Sequence, residues 1–135
     1  MPTIETKYLN ELRTEATHTA SGKTLITDAP IDNKGKGEAF SPTDLLAASL
    51  GSCMLSIVGI VADNHGFSIE GATLKITKVM AANPRRVAEI EVIFDFPLSS
   101  FSESQVRIIK HAALTCPVAL SLHPDIIQKV IFNFK

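Results

Sequence analysis

Cys53 and Cys116 are the only two thiols in the chain, and they are where chemistry can begin. Cys53 lies inside the apolar run SPTDLLAASLGSCMLSIVGIVADNHG, and Cys116 lies 63 residues later in HAALTCPVALSL. The N-terminal segment MPTIETKYLNELR is polar and mixed in charge, without the apolar core of a secretory signal. The expected compartment is therefore the cytoplasm, where a Cys53–Cys116 disulfide would be transient rather than a structural staple. If the fold joins the two thiols, they can reduce a peroxide and then resolve as a disulfide. The plainer alternative is that both are small buried hydrophobes, as free cysteines often are.

A peroxide-reducing cysteine has to be a thiolate, and it needs a donor for the departing oxygen. A helix interior supplies neither, so Cys53 requires a cation brought by the fold. Arginine suits this role because it stays charged. Arg13 is the arginine of the N-terminal segment, whereas Arg85 and Arg86 fall at a turn and Arg107 on a helix, where solvated roles are expected. Cys116 stands just before a proline-started helical turn whose N-terminus could lower its pKa. Local rules alone therefore favour Cys116 as the nucleophile. His18, His65, His111 and His123 are scattered, and the cysteines lack knuckle spacing, so no metal or other cofactor is called for.

The elements that must position these groups are legible in outline. Segments 3–8, 13–19 and 24–27 read as a strand meander turning at Ser21-Gly22, and 28–40 reads as a loop. Ser41, Pro42 and Asp44 form a helix start, with Asp44 placed to reach back to the cap. The helix should end at Asn64-His65-Gly66. On it, Ala48, Ser52, Ser56 and Gly59 form a small-residue stripe beside an apolar one of Leu46, Leu50, Cys53 and Ile57. Segments 72–81 and 87–96 read as a hairpin, in which Ala88, Ile90, Val92, Phe94 and Phe96 alternate with Glu89, Glu91 and Asp95. Ser102 to Gln105 is a capping box for a second helix to about Thr115, Cys116-Pro117-Val118 restarts a short helix, and 129–135 alternates as a last strand.

That order gives an α+β plan in one domain, residues 1–135. With 45% hydrophobic residues among 135, a real core is available. Thirteen basic and fourteen acidic residues are spread evenly, so the chain lacks the basic stripe of a nucleic-acid binder. Residues 45–62 carry no charge but contain Ser49, Ser52, Ser56, Gly51 and Gly59 and have no aromatic anchors, so they read as a buried core helix rather than a membrane span. Such a helix has more surface to hide than one thin sheet can cover, which points to a homodimer.

Taken together, SPTDLLAASLGSC and LTCPVALSL resemble the paired cysteine motifs of the OsmC/Ohr family of osmotically inducible and organic hydroperoxide resistance proteins, in its OsmC-like branch. The element order matches over nearly the whole chain. The resemblance implies an intertwined homodimer with active sites at the subunit interface. It also implies a cysteine-based, peroxiredoxin-like hydroperoxide reductase of the oxidative stress response. In that reading Cys53 attacks an organic hydroperoxide, Cys116 resolves the sulfenic acid, and a dithiol, of lipoyl type in the family, restores the thiols. This reverses the local preference for Cys116.

Family peroxidases often carry a glutamate after the helix-starting proline, paired with an arginine that activates the first thiol. Here that place is Thr43, with Asp44 one residue later and about 100° around the helix. Asp44 stands as either the acid or a helix cap, and Arg13 as the activating cation. Thr43 keeps a second reading open, in which the dimer binds a small apolar ligand without catalysis. A third makes the same disulfide a redox sensor.

Overall fold

Capping chemistry sets the limits of the helix that carries Cys53. In the computed structural model, which describes residues 1–97 and 100–134, α1 runs over Pro42–Asn64. At its start the Ser41 amide donates to Asp44 Oδ2 at 3.0 Å and the Asp44 amide donates to Ser41 Oγ at 3.0 Å, a reciprocal capping box. At its end Gly66, with φ of 72°, allows the Phe67 amide to reach Ala62 O and the Gly66 amide to reach Asp63 O. These two bonds close a Schellman motif in a conformation that glycine adopts without strain.

The chain divides into two compact units, Met1–Leu46 and Ala47–Lys135. In the first, β1 (Ile4–Asn10), β2 (Arg13–His18) and β3 (Thr24–Asp28) form an antiparallel sheet in that order. A hairpin centred on Ala20-Ser21 brings Arg13 opposite Asp28. Segment 28–40 is more ordered than its composition suggests. It contains a 3-10 turn at Ile31–Asn33 and returns so that the Asp28 amide donates to Phe40 O at 3.0 Å. The whole of β1 is exposed.

In the second unit, β4 (Thr73–Ala81) pairs antiparallel with β5 (Arg86–Phe96), and β5 pairs parallel with β6 (Ile127–Phe134). A parallel pair needs a crossover connection. Here α2 (Glu103–Leu114) and α3 (Pro117–Ser121) supply it. The Ser102 and Gln105 capping box forms as expected. Lys135, expected at the end of the last strand, lies outside the described residues.

Packing fixes the face of each element. Val92, Phe94 and Ile90 are fully buried on β5, Phe94 stacks on Phe132 with centroids 4.9 Å apart, and Phe96 stacks on Phe134 at 4.9 Å. Lys110 of α2 lies 5.9 Å from the Phe132 ring centroid, which sets α2 over β6. The expected inward row fails at one point: Val87, not Ala88, is buried. The register shifts between Val79 and Met80, so that Val79 pairs with Glu89 but Met80 with Val87. Ala88 is the extra residue of this β-bulge, and a bulge reverses which side chains face inward beyond it.

By length and composition α1 is apolar enough to cross a membrane, and 33% of its most apolar stretch is buried within the chain. Core helices of soluble proteins meet the same criterion. Leu50, Met54 and Val58 are its fully buried face, while Ser52 and Ser56 of the small-residue stripe are exposed and Ile60 is 54% exposed.

Candidate thiol site and its cation

The elements bring Cys53 and Cys116 together. Cys53 is half-buried on α1, and Cys116 is fully buried at the start of α3. Cys53 is a near enough neighbour of Cys116 to act on its ionisation. Cys116 is the N-cap of α3: its Sγ accepts from the Ala119 amide at 3.4 Å, and Pro117 occupies the first helical position. Burial pushes the Cys116 thiol up, since a thiolate loses its hydration there. The Ala119 and Val118 amides pull the other way, and the neighbouring Cys53 sulfur adds to the rise. The expectation that the helix N-terminus would lower the Cys116 pKa is therefore corrected. Desolvation outweighs two weak N–H donors.

Arg13 sits in the other unit within a tight carboxylate cradle. Its Nε donates to Asp28 Oδ1 at 2.7 Å and its Nη2 to Asp28 Oδ2 at 2.9 Å, a bidentate pairing of guanidinium and carboxylate. Nη2 also donates to Glu38 Oε1 at 2.9 Å, and the Glu38 amide donates to Asp28 Oδ2 at 3.1 Å. Asp28 is 0% exposed. The Arg13 guanidinium beside it holds its carboxyl below the usual carboxylate range, and the pair raises Arg13 in turn. Asp28 was absent from the sequence-based candidates. A hairpin centred on Ala20-Ser21 places residue 28 opposite residue 13, whereas one centred on Ser21-Gly22 would have put residue 30 there.

Asp44 uses its carboxylate in the capping box of α1, and Ser41 Oγ also meets Thr43 Oγ1 at 3.2 Å. Leu50 and Met54, beside Cys53 on α1, are fully buried core residues, while Phe40 is 59% exposed. All four histidines are exposed, and Arg85, Arg86 and Arg107 are exposed as expected. Among the described residues, no group of three His, Cys, Asp or Glu gathers as a metal site. A groove of about 490 Å³ runs between α1 and α2. Its lining includes Ile57, one turn after Cys53, and Thr115, next to Cys116, together with Val61, Ile108 and Arg107.

Comparison with known proteins fits this arrangement. A family model described as OsmC-like protein matches residues 35–129. A crystal structure of a protein from Psychrobacter arcticus 273-4, assigned to osmotic stress induction and detoxification response, is 53% identical. It covers 98% of this chain and 96% of its own, with a TM-score of 0.94. Two more distant structures share the fold. One is an organic hydroperoxide resistance protein OsmC from Legionella pneumophila, at 18% identity, coverage of 98% of both chains and a TM-score of 0.76. The other is an organic hydroperoxide resistance protein from Vibrio cholerae with captopril in one active site, at 16% identity, 98% and 92% coverage and a TM-score of 0.75. No curated protein matches the chain. With its α+β plan and thiol pair, this chain belongs to the OsmC-like protein family.

Proposed function

We propose that the protein is a cytoplasmic thiol peroxidase that reduces organic hydroperoxides, with Cys53 as peroxidatic and Cys116 as resolving cysteine. The observation that carries this reading is that two thiols 63 residues apart in sequence come near enough in the second unit for Cys53 to act on the ionisation of Cys116. Burial that raises Cys116 supports Cys53 as the first nucleophile. The Cys53 thiolate attacks the distal oxygen of the hydroperoxide and the O–O bond breaks. The alkoxide leaves and takes a proton to become the alcohol, and Cys53 is left as a sulfenic acid, oxidised by two electrons. The Cys116 thiolate then attacks Cys53 Sγ, the S–O bond breaks, and hydroxide leaves as water. An external dithiol, in this reading of lipoyl type, takes over the oxidation and restores both thiols.

Arg13 is assigned the cationic role, with Asp28 and Glu38 fixing its guanidinium. Asp44 serves the reaction by fixing the start of the helix that carries Cys53. Both units act as parts of one functional domain, completed as a homodimer. The exposed length of β1 and the exposed Ile60 of α1 are the surfaces that favour a second copy.

The test is a free-thiol count by intact mass on reduced protein, before and after one equivalent of cumene hydroperoxide, with Cys53→Ser alongside. Loss of both thiols in the wild type and neither in Cys53→Ser is expected. Two unreacted wild-type thiols would favour a second reading, in which the groove between α1 and α2 holds a small apolar ligand without turnover. Oxidation that no dithiol reverses rapidly would instead indicate a redox sensor. Thr43→Glu adds a further discrimination, because a large gain in rate would show that the wild-type site is impaired.

A further inference from the structure

Three of the four inward-facing side chains of β6 are apolar: Val130, Phe132 and Phe134. The fourth is Gln128, half-buried and paired in register with the fully buried Ile90. An amide on an apolar sheet face costs free energy unless it is hydrogen-bonded. Gln128 is bonded: its Nε2 donates to Ala119 O at 3.0 Å.

That carbonyl belongs to α3, a helix of five residues, little more than one turn. Such a short helix cannot satisfy its own last carbonyls, and its ends need outside partners. The N-terminal partner is the Cys116 sulfur, which accepts from the Ala119 amide. The C-terminal partner is Gln128. One residue, Ala119, therefore holds the resolving thiol through its N–H and is tied to the sheet through its C=O.

We infer that Gln128 is a positioning residue for disulfide closure, anchoring α3 to β6 so that Cys116 stays aimed at Cys53. The inference rests on the peroxidase reading and concerns its second step only. Cys53 is carried by α1 and is oxidised without any movement of α3. Closure, in contrast, requires Cys116 Sγ to advance to bonding distance of a sulfenic sulfur. Its rate depends on how tightly α3 is held, because a loose attacking group forfeits the gain of intramolecular placement.

The experiment separates the two steps. Reduced protein is mixed with one equivalent of cumene hydroperoxide and quenched at intervals with dimedone, and intact mass distinguishes the sulfenic adduct from the disulfide. In the wild type the disulfide forms with little adduct. In Gln128→Met, which keeps length but has no donor, the adduct accumulates and closure slows by about tenfold or more. Cys53 oxidation stays within about twofold of wild type, the split expected when only one step loses an interaction. Gln128→Lys, which restores a donor, recovers closure. If the Met variant does not fold, Gln128→Glu, of the same shape but with no donor when ionised, carries the same comparison.

Closure at the wild-type rate in the donor-less variants overturns the inference and leaves the peroxidase reading standing. So does equal slowing of both steps, which would mark a general structural role. A wild type that forms neither adduct nor disulfide overturns the peroxidase reading itself and the inference with it, and this is seen before any variant is compared.

Discussion

Around Arg13 one guanidinium makes three hydrogen bonds of 2.7 to 2.9 Å to two carboxylates, one of them fully buried. Around Cys116 the sulfur accepts from the Ala119 amide at 3.4 Å, with the Val118 amide and the Cys53 thiol as its other polar neighbours. The first region, inside residues 1–46, is held by charge; the second, inside residues 47–135, by packing and a short helix. The difference follows from the chemistry each can tolerate. A buried ion keeps its charge only if its partners replace the lost water. A thiol can be buried as a small hydrophobe but then resists ionisation. The chain thus keeps this charged cluster and its two thiols in separate units.

The most damaging change should be in the packed region. Phe94→Ala removes a fully buried ring stacked on Phe96 and Phe132, at a cost of about 3–5 kcal/mol. Chemical denaturation would report it as a lower midpoint, and disulfide formation should fail together with the fold. Retained closure in a strongly destabilised Phe94→Ala protein would break the claim that packing positions the thiols.

Arg13→Gln tests the charged region. It should slow oxidation of Cys53 by about a hundredfold, the scale of one lost electrostatic stabiliser. It should leave the Cys116 closure step unchanged once the sulfenic acid has formed. Rapid quenching with hydroperoxide reads both rates. An unchanged first step would reduce the Arg13 cluster to a fold-stabilising ion pair.

The outline of both regions was legible where it depends on local chemistry. Ser41 and Asp44, Ser102 and Gln105, Pro117 and Gly66 each act within a few residues, so caps and helix ends could be read directly. What escaped depends on register or on distant partners. The Ala88 bulge is invisible in an alternation that runs smoothly from Val87 to Phe96. Asp28 was read as the start of a loop because its partner stands across a hairpin. Gln128 was overlooked because the reading of the last strand began one residue later, and its reason for being polar lies on α3. The acidity of Cys116 was misjudged because a helix N-terminus is a local feature and burial is not.

Changing the pH should separate the regions without mutation. The Cys116 thiol is pushed up by burial. Below its pKa the thiolate fraction grows about tenfold per pH unit, so closure should keep accelerating beyond pH 8.5, the ordinary thiol value. A plateau below about pH 8 would mean that a cation reaches this thiol after all. Asp28 moves the other way, because Arg13 keeps it ionised in the folded chain. Its contribution to stability is complete above about pH 4, the value in an unfolded chain. It fades only as pH falls towards the lower folded value. Melting temperatures between pH 3 and 7 should therefore be flat in this respect above pH 4, and Asp28→Asn should remove the acid-side decline.

The smallest expected effect bears most directly on geometry. Gly51 lies two residues before Cys53, and a Cβ there would fall 2.3 Å from Ile76 Cδ1 and 3.1 Å from Leu74 Cδ1. At Gly51 α1 packs directly against Leu74 and Ile76 of β4. The two nearest of these atoms are side-chain tips, which can shift, and Ile76 Cγ1 follows at 3.2 Å, so Gly51→Ala should cost about 1–3 kcal/mol in overpacking. About 1 kcal/mol returns because alanine favours a helix over glycine. The net loss of about 0–2 kcal/mol leaves the protein folded. Closure is more exacting, since displacing α1 by a fraction of an ångström moves Cys53 relative to Cys116 when neither thiol has a strong bond to restore it. Slower closure in a Gly51→Ala protein of nearly wild-type stability would show that helix-to-sheet distance sets the thiol geometry. Unchanged closure would mean that the site tolerates movement of α1 and that its alignment resides in α3.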